Sequence, residues 1–199
     1  MPAARPRLVV AYGALPAHAV LRAEAARFHQ VSPAHIVLVH ECPRCGSAAH
    51  GRPSLLATRA VRHPAFVSLA RAGDMSVAAI TDAGPVGVDI EAERAADFAG
   101  FEDVALHASE RTTTSGDLTR VWVRKEALLK AYGLGLAVDP RELGLDEDGL
   151  AMWDSRHRSP GGAWLRDLAV PGHAIAVAVL PHADHDVAGL SATVRPATT

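Results

Sequence analysis

The strongest constraint on the fold is an acidic, alternating segment, residues 86–91, which is followed about 30 residues later by a helical segment, residues 122–130. The first segment reads VGVDIE, and its apolar residues recur at every second position. This period of two predicts a β-strand. Asp89 and Glu91 stand two positions apart and are therefore expected on the same face of that strand.

The second segment reads WVRKEALLK and places Trp122, Glu126 and Lys130 at four-residue intervals. This spacing predicts one face of an α-helix. Together the two segments offer three carboxylates and two lysines. Such a set suits Mg²⁺, which prefers hard oxygen ligands combined with substrate phosphates, while the ammonium groups can neutralise phosphate charge.

These two segments resemble the motifs of the 4'-phosphopantetheinyl transferase family, in particular its surfactin-type branch. That family carries a G-[VI]-D-[IVL]-E strand and a W-x-x-K-E-A-x-x-K helix, and this sequence matches both without a mismatch. Further similarities lie at residues 51–53, 67–74, 106–110 and 133–136. The resemblance covers roughly residues 42–140, and the ordered set of motifs is more specific than any one of them.

The resemblance implies an enzyme that transfers the 4'-phosphopantetheine group of coenzyme A to a serine of an apo carrier protein. The other product would be adenosine 3',5'-bisphosphate, and the reaction would depend on Mg²⁺. The partner would be an acyl or peptidyl carrier protein of fatty-acid, polyketide or nonribosomal peptide biosynthesis. One alternative is a degenerate, non-catalytic relative that binds coenzyme A or a carrier protein, and another is an unrelated metal-dependent phosphate-transfer enzyme.

The family's reactive residues carry over onto matching positions of this sequence. The implied metal ligands are Asp89, Glu91 and Glu126. The implied catalytic residues are Glu126 as general base, Lys130 as the contact of the pyrophosphate, and Asp89. Glu110, or a water molecule on the metal, is an alternative base, and the sequence does not choose between them.

The coenzyme A contacts implied by the resemblance are Arg52, Arg71, Lys125, Lys130 and Gly87. Arg71 stands where the family has a phosphate-binding histidine, and a guanidinium could replace it with a permanent charge. Lys125 and Lys130 are the only lysines of the chain, and both fall within one nine-residue motif. Gly87 is expected to let the backbone lie close to another strand or to the nucleotide.

Departures from the family pattern concern the binding of coenzyme A. Ala70 replaces a family serine, which removes a hydrogen bond worth about 1 kcal/mol. His18 stands where an arginine is expected at a helix start. The family's basic pair for the 3'-phosphate has no clear match, and the candidates are Arg22, Arg52 and Arg59.

Strands mixed with a few helices, without regular alternation, predict an α+β fold. The resemblance implies two similar α+β lobes related by a pseudo-twofold axis, with the active site between them. The predicted lobes are residues 1–83 and residues 84–199, and the second lobe carries the metal and catalytic motifs. Helices are expected near 101–110 and over 117–132, the latter capped by its first residue, while the polar stretch 181–199 is expected to fray.

Composition excludes other classes of function. The formal charge of −2 argues against a general affinity for nucleic acid, which needs a basic surface. No run of 18 or more apolar residues is present, so no membrane span is expected. The first 15 residues are typical of a strand rather than a signal peptide, which favours a cytoplasmic protein. A monomer is expected, because the two-lobed family form contains its own pseudo-dimer interface.

Cys42 and Cys45 form a C-P-R-C pair between His40 and His50. A zinc site could be drawn from these residues, but structural zinc normally takes two such ligand pairs at regular spacing. The favoured interpretation is a tight, proline-containing turn that leads into the segment 51–53.

Overall fold

The computed structural model describes residues 5–42, 45–48, 51–62, 65–110, 118–146, 150–153, 162–182, 187 and 189–197. Within these ranges the chain forms three α-helices, which are α1 (Ala17–His29), α2 (Phe101–Ala105) and α3 (Leu118–Tyr132). The first six strands are β1 (Leu8–Gly13), β2 (Leu38–Glu41), β3 (Arg52–Leu55), β4 (Phe66–Ala72), β5 (Met75–Thr81) and β6 (Val86–Ala92). The remaining strands are β7 (Leu143–Leu145), β8 (Leu150–Trp153), β9 (Trp164–Val170), β10 (His173–Val179) and β11 (Ala192–Pro196).

The strands form two larger sheets and two hairpins. The first sheet has the order β11-β1-β5-β4, in which β1 and β11 are parallel and the other pairs are antiparallel. The second sheet has the antiparallel order β6-β10-β9. The hairpins are β2–β3 and β7–β8. This mixture of several sheets with few helices confirms the predicted α+β class.

The two larger sheets share one core, and each packs a helix on its other face. In β10 the residues Ile175, Val177 and Val179 belong to the shared core, together with Leu8 and Val10 of β1. The alanines that alternate with them along β10 pack against α3. The first sheet is covered in the same way by α1. The period of two along the strands therefore sorts side chains between the shared core and a helix.

The last part of the chain differs from the sequence expectation. Residues 192–196 do not fray but form β11, which pairs in parallel with β1, from Leu8 opposite Ala192 to Tyr12 opposite Pro196. This strand is held by backbone hydrogen bonds to a partner more than 170 residues away in the sequence, and local polarity carries no signal for such a contact. The predicted lobe 84–199 thus contributes its final strand to the first sheet, and the division into lobes stays a prediction.

The helix boundaries depart from expectation in part. The helix expected over 101–110 stops at Ala105 and is followed by a 3₁₀ turn over Ala108–Glu110. The expected N-cap of α3, Asp117, lies outside the described residues. The C-terminus of α3 is as predicted, because Gly133 adopts a φ of 73° and its N–H bonds to the carbonyl of Lys130 at 3.0 Å. Within the described ranges, no helix is long and apolar enough to cross a membrane.

Candidate active site

The carboxylates of β6 lie on the face of the strand that turns toward α3. The apolar residues of β6 alternate with them and are buried in the core shared by the sheets. In the neighbouring strand β10, Ala176 pairs with Asp89 and Ala174 pairs with Glu91. Small side chains at these positions leave room beside the two carboxylates.

Gly87 brings β6 and α3 into close contact. A Cβ atom at this position would lie 1.9 Å from the carbonyl oxygen of Ala127 and 2.5 Å from the amide nitrogen of Ala131. No real side chain tolerates these distances to backbone atoms. The close neighbour of Gly87 is therefore a helix, whereas the sequence suggested another strand or a nucleotide. The contact sets Asp89, two residues further along β6, against the helix that carries Lys130 and Glu126.

Lys130 joins the helix to the acidic strand. Its Nζ donates to Oδ1 of Asp89 at 2.6 Å and to the carbonyl oxygen of Val88 at 3.2 Å. The side chain of Asp89 is 8% exposed and that of Lys130 is 28% exposed, so the pair lies at the edge of solvent. Among the described residues, these contacts use two of the three ammonium hydrogens, and the third can bond to another group.

The three predicted ligands are close enough to affect each other's protonation. The pKa of Glu126 is raised to about 6, chiefly by burial; Lys130 opposes the rise, and repulsion from Asp89 and Glu91 adds to it. Burial also raises the pKa of Asp89, against the attraction of Lys130. The pKa of Glu91 is raised by burial and by Asp89, and lowered by Lys130 and by a hydrogen bond from Trp122. One cluster thus contains three carboxylates and one ammonium group.

Two carboxylate oxygens in this cluster are buried and have no hydrogen-bond partner among the described residues. They are Oδ2 of Asp89 and Oε1 of Glu126. Unpaired buried carboxylate oxygens are costly, and a hard cation is the ligand that would satisfy them. In the described parts of the chain, however, no three His, Cys, Asp or Glu side chains are already arranged to hold a metal ion. The donor chemistry fits Mg²⁺, and Asp89, Glu91 and Glu126 stay predicted ligands.

Lys125 and Glu110 lie apart from this cluster. Lys125 is fully buried, and its Nζ donates to Oε2 of Glu110 at 2.5 Å. Glu110 is 3% exposed and also accepts hydrogen bonds from backbone amides, so its carboxylate is engaged and does not face a cleft. The expected contact of Lys125 with coenzyme A and the alternative role of Glu110 as base therefore find no support in this geometry.

Arg52 reaches the C-terminal end of α3 although it belongs to β3. A Cβ atom on Gly133 would lie 3.1 Å from Nη1 of Arg52, so the guanidinium packs against this glycine, three residues after Lys130. Burial lowers the pKa of Arg52, which is the mark of a charge held partly out of water. The structure thus brings Arg52 toward the same end of the helix as Lys130.

Arg71 lies in a different cleft, at the N-terminus of α1. It is exposed, and its Nη1 donates to the carbonyl oxygen of Gly73 at 3.3 Å. His18 and Ser76 line the same cleft. Ser76 is fully buried, and its Oγ has no hydrogen-bond partner within the described ranges. The sequence did not single out Ser76, because a serine on a strand carries no signal of its own.

Of the other residues considered for binding the 3'-phosphate, one bonds to the protein backbone and the other is exposed. Arg22 donates to the backbone carbonyl of Ile36, and Arg59 is exposed. His18 lies against His40, with 2.9 Å between their Nε2 atoms, and Nδ1 of His40 lies 3.2 Å from the carbonyl oxygen of Gly51. This pair links the start of α1 to the β2–β3 hairpin.

An apolar groove begins at the carboxylate cluster. Its lining includes Glu91, Trp122 and the exposed side chains of Phe98, Val104 and Leu136, which are 57%, 57% and 63% exposed. Large apolar side chains grouped this close to a polar site are unusual on a surface without a ligand or partner. The sequence did not single out the side chains of Phe98 and Leu136, since a lone apolar residue outside a periodic segment gives no signal.

Backbone hydrogen bonds connect the ends of the cysteine segment, whose residues 43 and 44 lie outside the described residues, so the favoured turn stays a prediction. The N–H of Cys42 bonds to the carbonyl oxygen of Ser47 at 3.0 Å, and the N–H of Gly46 bonds to that of Cys42 at 2.8 Å. Neither Cys42 nor Cys45 is in a disulfide. His50, one of the residues from which a zinc site was drawn, lies outside the described residues.

A comparison with known protein families matches the part of the chain that contains β6 and α3. The family model described as "4'-phosphopantetheinyl transferase superfamily" matches residues 85–177, which include β6, α3 and most of β10. The resemblance is thereby confirmed for this segment, and the match supports a phosphopantetheinyl transferase role in general. No curated protein matches the chain. The surfactin-type branch stays a prediction.

Proposed function

We propose, from the membership of residues 85–177 in the 4'-phosphopantetheinyl transferase superfamily, that this chain transfers phosphopantetheine from coenzyme A to a serine of an apo carrier protein. The observation that supports this most is the cluster of Asp89, Glu91, Glu126 and Lys130, in which two buried carboxylate oxygens have no partner among the described residues. Burying carboxylate oxygens without a partner costs stability, and a bound cation would offset this cost.

Mg²⁺ would be held by Asp89, Glu91 and Glu126. When bound, it supplies positive charge against the pyrophosphate of coenzyme A. The ion would also satisfy the unpaired oxygens of Asp89 and Glu126, and it would replace the mutual repulsion of three carboxylates with attraction. The donor set consists of oxygens alone, which suits Mg²⁺ better than a softer transition metal.

Glu126 would act as the general base. The serine oxygen forms a bond to the β-phosphorus, the bond from that phosphorus to the bridging oxygen breaks, and adenosine 3',5'-bisphosphate leaves with the electron pair. The serine proton passes to the carboxylate of Glu126. A carboxylate held within hydrogen-bond reach of the serine hydroxyl can accept this proton.

Lys130 would stabilise the charge that grows on the phosphates. Its ammonium already contacts Asp89, and the hydrogen that the described residues leave unused can reach a phosphate oxygen. Arg52, packed against Gly133 at the end of the same helix, is the second cation that we assign to the phosphates. The predicted contact of Arg71 with coenzyme A, a monomeric state and a cytoplasmic location are kept as parts of this proposal.

The test is a transfer assay. Protein, coenzyme A, Mg²⁺ and a panel of apo acyl and peptidyl carrier proteins are mixed, and intact mass reports the added phosphopantetheine group. Transfer to at least one carrier, lost on addition of EDTA, is the expected result. Coenzyme A binding without transfer to any carrier would replace the proposal with that of a non-catalytic binding protein.

Replacing Arg71 with Ala should raise the KM for coenzyme A about tenfold and leave kcat within about twofold. An ion pair with a phosphate that is equally strong in the ground state and the transition state affects binding alone. A hydrogen bond to a charged group contributes about 1.5 kcal/mol, which corresponds to this factor. Steady-state kinetics with varied coenzyme A measures it. The control is Arg62→Ala, another exposed arginine, and an unchanged KM for Arg71→Ala would remove Arg71 from the phosphate site.

A further inference from the structure

A buried lysine–glutamate pair lies next to the candidate site, and the proposed mechanism does not use it. Lys125 is 0% exposed and Glu110 is 3% exposed. The two charged groups are 2.5 Å apart, from Nζ to Oε2. Taking both charges out of water is unfavourable unless each is fully hydrogen-bonded, so such a pair requires further partners.

Lys125 has an acceptor for each of its three ammonium hydrogens. Besides Glu110, its Nζ donates to the carbonyl oxygen of Ala105 at 2.7 Å and to that of Pro140 at 3.1 Å. Lys130, the other lysine of the chain, is 28% exposed and stands at the carboxylate cluster. The two lysines of one motif therefore have different surroundings, and a phosphate can reach Lys130 alone.

Glu110 connects the pair to two more segments. Its Oε2 also accepts a hydrogen bond from the N–H of His107 at 2.7 Å, and its Oε1 accepts one from the N–H of Leu145 at 2.8 Å. Donors thus reach both oxygens of a carboxylate that lies in the interior. These hydrogen bonds satisfy the carboxylate oxygens that burial removes from water.

The segments joined in this way surround the part of α3 that carries Glu126. Lys125 is the residue immediately before Glu126, and it holds the end of α2 at Ala105 and the 3₁₀ turn at Pro140. These two segments also form walls of the apolar groove, to which α2 contributes Val104 and the turn contributes Pro140. The pair therefore links the orientation of Glu126 to the shape of the groove beside Glu91.

We propose that Lys125 and Glu110 are positioning residues, which fix the segment of α3 carrying Glu126, and that Lys125 does not contact coenzyme A. This inference rests on the proposed function. It assigns the two lysines of the motif to separate tasks, with Lys130 on the substrate and Lys125 inside the protein. It also removes Glu110 from the candidates for the base.

The test compares the wild-type chain with a double variant that carries both Lys125→Met and Glu110→Gln. The double change removes both charges, keeps similar side-chain volumes and leaves no buried charge unpaired. Isothermal titration should show a Kd for coenzyme A within about twofold of wild type. Transfer to the carrier should show a kcat lowered by about 10- to 100-fold, since small errors in the position of a reacting group have such effects.

The matched control is Lys130→Met, which should raise the Kd for coenzyme A at least about tenfold if Lys130 contacts a phosphate. A comparable rise in the double variant would show that Lys125 is a substrate contact and would overturn the proposal. A folded double variant with unchanged kcat would overturn it as well. The split between kcat and Kd separates a positioning role from a binding role.

Hydrogen exchange gives a readout that does not depend on activity. In the double variant the backbone amides of residues 122–130 should exchange at least about tenfold faster than in the wild type, because α3 loses its ties to α2 and to the Pro140 turn. If the double variant does not fold, Lys125→Gln combined with Glu110→Gln, a neutral pair that can still form a hydrogen bond, is measured in the same way. Unchanged exchange in the variant would reject the positioning role. If exchange is altered in the variant but the wild type transfers no phosphopantetheine, only the proposed function is rejected.

Discussion

Transfer by a Glu126→Gln variant is expected to fall by about three orders of magnitude, because the amide cannot take the serine proton and is a poorer ligand for a hard cation. Glu126 is half-buried on α3, and its Oε1 has no hydrogen-bond partner in the described part of the chain. The substitution keeps the size of the side chain, so the fold should be retained. Turnover is measured by intact mass of the carrier, and near wild-type turnover would reject Glu126 as both base and metal ligand.

The same variant should be more stable than the wild-type chain when metal is removed. The pKa of Glu126 is about 6 in the folded protein, against 4.5 for an ordinary glutamate, so the folded state holds this proton more tightly than the unfolded chain. Stability from this group is therefore fully present below pH 4.5 and is lost as the pH rises through 6. The loss amounts to roughly 2 kcal/mol above pH 6, and glutamine avoids it.

Urea unfolding in EDTA at pH 5 and at pH 7.5 tests this expectation. The free energy of unfolding of Glu126→Gln should exceed that of the wild type by roughly 1 to 2 kcal/mol at pH 7.5, and the difference should shrink at pH 5. Glu102→Gln changes an exposed glutamate on α2 and serves as the control. A destabilised Glu126→Gln variant at pH 7.5 would mean that the carboxylate already has a compensating partner inside the protein.

Most of the candidate site could be predicted from the sequence because it depends on local periodicity. The alternation of residues 86–91 fixed which side chains of β6 enter the core, and it left Asp89 and Glu91 on the other face. The four-residue spacing in α3 likewise put Glu126 and Lys130 on one helix face. These periods do not show that the two faces lie side by side, which follows from the packing of α3 on β10 and on Gly87 of β6.

Two features could not be predicted, and both depend on contacts between distant segments. Lys125 stands in the middle of the motif and has the same chemistry as Lys130, yet it points into the protein toward Glu110. Only the packing of α2 and of the Pro140 turn on α3 decides which lysine is enclosed. The same holds for β11, whose partner β1 lies at the other end of the chain. Pairing over such distances leaves no trace in local composition.

Gly87→Ala should lower the free energy of unfolding by about 3 kcal/mol or more. The added Cβ would lie 1.9 Å from the carbonyl oxygen of Ala127 and 2.9 Å from the Cβ of Lys130. The nearest of these atoms belongs to the backbone of a buried helix, which cannot move as the end of a flexible side chain can. Helix α3 and strand β6 would have to separate.

This separation would affect the site as well as the stability. Asp89 lies two residues beyond Gly87 and bonds to Lys130, whose own Cβ is among the atoms that clash. The Gly87→Ala variant should therefore lose transfer activity even at temperatures where it remains folded. Thermal unfolding and transfer are measured together, with Gly189→Ala as the control, because a Cβ at Gly189 meets no atom of the described residues within 4 Å. Wild-type stability of the Gly87→Ala variant would mean that the strand and helix are not held at this distance, and the cluster of Asp89, Glu126 and Lys130 would lose its structural basis.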